Sequence, residues 1–133
     1  MKQLSVFLEN REGRLSDALQ ILADNKINIL SLSLADTSEY GMLRLLVSDP
    51  EAGKKALVAK NMSATLTEVL AVKMSHEIGS LQKILSLLCD RGINIEYMYA
   101  LSTGTEEAAI AIKTSDPEVA ASVMENAGVE FYK

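Results

Sequence analysis

Two short segments hold the residue types best suited to chemistry: Glu9-Asn10-Arg11-Glu12-Gly13-Arg14-Leu15 and Ser75-His76-Glu77-Ile78-Gly79-Ser80-Leu81. Each follows a short apolar run and puts glycine where a helix is predicted to begin. The free amides of a helix start carry partial positive charge, and an adjacent glycine lets a ligand come close to the backbone, so a carboxylate could dock there. Glycine at such a place serves equally as a turn former, and the loops by themselves leave both readings open. Arg11 and Arg14 add attraction for an anion in the first loop, whereas Glu77 opposes it in the second.

Asn28 and Asn94 form a second pair, each followed by isoleucine, Ile29 and Ile95. A carboxamide oxygen there could accept from an ammonium group; asparagine between helix and strand can also bond its own backbone. His76 is the single histidine, with no serine or cysteine nucleophile pattern beside it and no ligand set for zinc, so loop exposure or ligand contact fits it better than catalysis. Cys89 is the single cysteine; among Leu85, Leu87 and Leu88 it is expected as a small buried residue.

The elements that must position these residues occur twice. Leu4, Val6, Gly13, Leu15, Leu19, Leu22, Asp24, Ile27, Asn28, Ile29 and Thr37 return at a constant offset of 66, and Ser48-Asp49-Pro50-Glu51 returns as Ser115-Asp116-Pro117-Glu118 after one inserted residue. Eleven identities in 34 positions, against about two expected from average residue usage, mark a duplication. Each repeat reads as a strand (3–8, 69–74), then a helix whose apolar stripe is Leu15, Ala18, Leu19, Leu22 or Leu81, Ile84, Leu85, Leu88. Gly92 suits a left-handed helix end, a conformation that Lys26 must tolerate or avoid.

Two strands follow in each repeat (27–35 and 42–47; 93–102 and 108–113), joined by turns at 37–41 and 103–107. The apolar phase of 27–34 changes from odd to even positions, which predicts a β-bulge near Ile29 and Leu30. Asp49-Pro50 and Asp116-Pro117 predict an N-cap and first helical residue. A last strand closes each repeat, at 63–67 and 129–132. The first runs with almost no linker into the second repeat.

The 133 residues are 48% hydrophobic with a formal net charge of −5. No basic cluster exists to release counterions from a nucleic acid, and no apolar run approaches a membrane span. The first nine residues are too weakly apolar for a signal peptide, so no membrane or nucleic-acid partner and a cytoplasmic location are expected.

Strand, Asp/Asn-x-Pro-Gly-x-Leu loop, amphipathic helix and Gly-x-Asn-Ile before a strand resemble the ACT domain, twice over nearly the whole chain. The matching positions are Asn10, Gly13, Leu15, Asn28 and Ile29, then Gly79, Leu81, Asn94 and Ile95; Glu12 and Ile78 replace the usual loop proline, and His76 stands where Asn10 stands in the first loop. The resemblance implies an α+β fold: two tandem ferredoxin-like βαββαβ units, 1–67 and 68–133, packed side by side into an extended antiparallel sheet with helices on one face. It also implies a regulatory rather than enzymatic role, with a free amino acid as effector, no cofactor or metal, an enzyme or regulator of amino-acid metabolism as partner, and homodimers. The ligand would lie at the interface of the two domains. The amides near Gly13, Arg14 and Leu15 would take its carboxylate, and Asn10 with an asparagine carboxamide, Asn28 or Asn94, or a strand carbonyl of the other unit would hold its ammonium group, Asn94 facing the loop of Asn10, with the pseudo-equivalent positions Ile78, Gly79, Ser80 and Leu81 around the second loop. An adaptor with empty loops is the rival expectation.

Overall fold

The computed structural model describes residues 1–9, 11–36, 40–75, 77–101 and 108–132. The expected turns at 37–41 and 103–107, the end of the strand ending at Ser102, and the loop positions Asn10 and His76 fall wholly or largely outside them. The chain divides into two compact units, Lys2–Thr67 and Glu68–Lys133, the second joined by Met1.

In the first unit the order is β1 (Lys2–Glu9), α1 (Arg14–Asp24), β2 (Ile29–Asp36), β3 (Tyr40–Val47), α2 (Pro50–Ala59) and β4 (Ser63–Glu68). The strands form one sheet in the order β2-β3-β1-β4, with β3 antiparallel to both β1 and β2. Strand alternation decides which face is covered: Leu4, Val6 and Leu8 are buried and lie opposite Leu45, Leu43 and Gly41. Ala18 and Leu22 of the predicted α1 stripe complete this core, and Leu15 and Leu19 pack against it half-buried. The register of β2 on β3 shifts between Ile29 and Ser31, at the predicted bulge.

Gly53, inside α2, is buried, and a Cβ there would come within 3.1 Å of Leu4 Cδ2. Glycine in a helix interior costs about 1 kcal/mol relative to alanine, and at this position it lets α2 sit close to the sheet.

The second unit repeats the order with β5 (Leu70–Met74), α3 (Ser80–Cys89), β6 (Ile95–Leu101), β7 (Ala108–Thr114) and α4 (Pro117–Asn126). Its sheet is β5-β7-β6, antiparallel throughout, with the same register shift between Ile95 and Tyr97. Val72, Ile84, Leu88, Ile112, Ala120 and Met124 form its core.

Two expectations are corrected here. The strand expected at 129–132 is reduced to one bridge, Val72 to Phe131, flanked by Lys73 N–H donating to Glu130 O and Tyr132 N–H to Ala71 O. The bridge register sets 129–132 opposite 71–74 of β5, and the hydrogen bonds there close around that one pair. Cys89 is exposed rather than buried. One residue past Leu88 is a rotation of about 100° around a helix, which carries Cys89 off the apolar face.

Helix ends follow local chemistry. Asp49 accepts from Ala52 N–H at 3.1 Å and Asp116 from Val119 N–H at 3.2 Å, each before a proline in the first turn. Lys26 adopts the left-handed conformation as Gly92 does, with φ of 58° and 69°. The following amides, of Ile27 and Ile93, bond Leu22 O and Leu88 O five residues back, closing α1 and α3 with a Schellman motif. Among the described residues no helix is long and apolar enough to cross a membrane.

Candidate functional site

The two loops share a backbone plan. Gly13 and Gly79 stand immediately before α1 and α3 with φ of 86° and 84°, and neither helix has a side-chain cap. The helices start when Gly13 O accepts from Asp17 N–H at 2.9 Å and Gly79 O from Lys83 N–H at 3.0 Å. A Cβ on either glycine would meet nothing within 4 Å, so conformation rather than crowding demands glycine.

Side chains make the loops different. In the first, Arg11 N–H donates to Glu9 O at 2.8 Å, and the Arg11 Nε lies 3.2 Å from Glu9 Oε2, an exposed pair of small energetic weight. Arg14 turns inward: its side chain is 21% exposed, with one guanidinium nitrogen 3.8 Å from Asp17 Oδ2. Its Nε is buried and has no hydrogen-bond partner among the described residues. Arg11, Arg14 and Leu15 line a cavity of about 180 Å³ together with Leu8, Glu9, Leu34 and Gly41. Glu12 and Gly13 are exposed outside that lining.

In the second loop Ser80 replaces Arg14, and its Oγ lies 2.9 Å from Ser75 Oγ, joining the end of β5 to the start of α3. Ile78 is fully exposed and lines neither of the two openings beside this helix start. One of about 440 Å³ involves Gly79, Ser80 and Leu81; one of about 730 Å³ lies toward Ile84 and Val129. Val129 and Glu130 belong to the segment with the single bridge, and Val129 is half-buried where the first unit has the buried Met62.

Asn28 and Asn94 are exposed, and it is their backbones that are held. Asn28 N–H donates to Ser48 Oγ at 2.9 Å while its carbonyl accepts from Ser48 N–H at 2.9 Å. Asn94 and Ser115 repeat this clamp at 3.2 and 3.0 Å. The repeated Ser-Asp-Pro-Glu motif thus fixes the asparagine backbone through its serine and caps the next helix through its aspartate. Ile29 and Ile95 pack against the two cores. Leu8, Leu34 and Gly41 were not among the expected site residues, and Glu9 stood in the expected loop without a role. Leu34 and Gly41 come from strands distant in sequence, and only the pairing of Leu8 with Gly41 brings them to the loop.

No group of three or more metal-binding side chains occurs among the described residues. The chain matches the family model described as an ACT domain pair over residues 1–133.

The chain belongs to the ACT domain pair family.

Its fold agrees. Protein BT0572 from Bacteroides thetaiotaomicron is 34% identical, with a TM-score of 0.92 covering 98% of this chain and 90% of that one. The ligand-free regulatory subunit of aspartate kinase from Thermus thermophilus is 16% identical, with a TM-score of 0.66 covering 95% and 91%. The corresponding subunit from Thermus flavus is 18% identical, with a TM-score of 0.62 and the same coverage. At that identity these two show the fold, which is the tandem ferredoxin-like ACT arrangement of α+β units. No curated protein matches the chain.

Proposed function

We propose that this ACT domain pair binds a free amino acid through its strand-to-helix loops and passes occupancy to a protein of amino-acid metabolism in the cytoplasm. The carrying observation is the glycine-started helix without a side-chain cap, present in both repeats and in the first accompanied by an inward arginine. A helix start without a cap offers amides to a carboxylate, the group every amino acid has. The regulatory subunits of aspartate kinase among its structural neighbours support the partner half of this reading. The mechanism is linkage: a ligand that contacts one arrangement of the protein better than another shifts the population toward it, and a partner that senses the arrangement senses the ligand.

The test is thermal unfolding of the full chain in the presence of each common amino acid. A ligand that binds only the native state stabilises it by mass action, by about 2.7 kcal/mol at a hundredfold excess over Kd, and so raises the midpoint. At least one amino acid is expected to do so; no response to any of them rejects the reading. An adaptor role is the second reading, favoured by the exposed Phe7 and Tyr40, whose ring centroids lie 4.6 Å apart, and by exposed Leu32 and Leu34.

A further inference from the structure

We infer that the chain associates with further copies of itself through the second helices of its two units, α4 of one copy docking on α2 of another. The duplication puts these helices at the same place in each unit, behind the same Asp-Pro start, yet they differ in charge. α2 has Lys54 and Lys55 against Glu51, and Glu51 is already met by Lys2 at 3.4 Å. α4 has Glu118 and Glu125 and no cation. Lys54, Lys55, Glu118 and Glu125 are all exposed, and none of the four has an ion-pair partner among the described residues.

Apolar surface accompanies the charge on both helices. Glu51, Lys54, Lys55, Val58 and Ala59 line a groove of about 560 Å³ with Leu66 of β4, and Val58 is 50% exposed there. Leu57 is fully buried, so the next residue, a rotation of about 100° further on, is carried off the covered face between the two lysines. On α4, Val119 is 47% exposed beside Glu118, at the position where α2 has the half-buried Ala52. A helix laid in a groove with its anchors on one side is a recurrent form of recognition. Seated with Val119 over Val58 and Leu66, α4 brings its glutamates to the two unpaired lysines. Each exposed pair contributes little by itself, but like charges disfavour α2 on α2 and α4 on α4, so charge decides which helix meets which. The two surfaces differ, so the contact runs head to tail and closes only where the same two copies make it twice. One helix on another is small against the roughly 1,600 Å² of a standard interface, and the association is reversible and concentration-dependent.

Light scattering on the full chain, followed up to about 1 mM, reads the association, and charge exchange identifies the contact. Lys54→Glu with Lys55→Glu, and separately Glu118→Lys with Glu125→Lys, should each weaken association at least about tenfold, a change of about 1.4 kcal/mol. An equimolar mixture of the two variants should regain it, because the altered α2 of one is complementary to the altered α4 of the other while the two unaltered helices keep the parent pairing. All four substitutions in one chain should regain it too, at the net charge of the parent. None of them touches the β2 edge, so association that is equal in the parent and in both reversals belongs elsewhere and overturns the inference. A parent that stays monomeric at about 1 mM overturns it, as does loss in the reversals without recovery in the mixture and in the fourfold variant. If a variant does not fold, salt still decides: between about 0.01 M and 1 M sodium chloride the screening length falls from about 30 Å to 3 Å, and parent association that does not weaken overturns the inference.

Discussion

Gly13 shows how a single backbone angle holds a loop in place. At φ 86° an L-residue is strained, and the space around it is open, so Gly13→Ala is expected to destabilise by about 1–2 kcal/mol through conformation alone. Gly13→Asn should cost less, because asparagine visits the left-handed region more readily. Urea unfolding of both variants measures the difference; a Gly13→Ala protein as stable as the parent would show that the loop relaxes. Lys26 and Asn61 carry the same kind of strain with φ of 58° and 65°, each at a helix end followed by a bond from the next amide to Leu22 O or Leu57 O. Positive φ is thus tied to chain reversal, and among the described residues only at Gly13 and Gly79 does it precede a helix and leave its first amides without a side-chain cap.

At the scale of elements, packing of helix on sheet governs stability. Gly53→Val is expected to cost about 1–3 kcal/mol: the Cβ alone approaches Leu4 Cδ2 at 3.1 Å, with Leu22 Cδ2 at 3.5 Å, and a branched side chain has no room. Denaturant unfolding checks this, and an unchanged midpoint would mean that α2 lifts without penalty. The equivalent position in α4 is Ala120, itself fully buried, so the second unit accommodates one methyl group more at the same contact. The two units carry one plan with different tolerances, as the filled Met62 and half-filled Val129 positions also show.

For the whole molecule, the apolar groups left at the surface of the first unit point to association. Phe7, Leu32, Leu34 and Tyr40 are each between 43% and 49% exposed, and β2, at the edge of its sheet, carries two of them. Residues 1–67 expressed alone are therefore expected to self-associate, because a small unit with an uncovered strand edge buries it against a second copy. Light scattering tests this; a monomeric, cooperatively unfolding half would contradict it. Homodimers of the full chain are expected on the same ground and are read by the same measurement.

The amino-acid sequence by itself determined everything that local rules govern. Period and spacing marked the α1 and α3 stripes, the Asp-Pro helix starts, the bulge near Ile29 and the glycines that stand before helices, because each depends on neighbours a few residues away. The offset of 66 made the plan visible twice and carried the family resemblance. Tertiary structure alone decided the rest. The pairing of 129–132 with β5 narrowed to the bridge at Phe131, and Cys89 was turned outward by a single helical step at the boundary of a buried face. Ser48 and Ser115 found the asparagine backbone twenty or more residues away. The inward turn of Arg14 beside Glu9 and Gly41 depended on β1 and β3 pairing in one register. Such contacts join residues far apart in the chain, and no local pattern in a single sequence records which of them will meet.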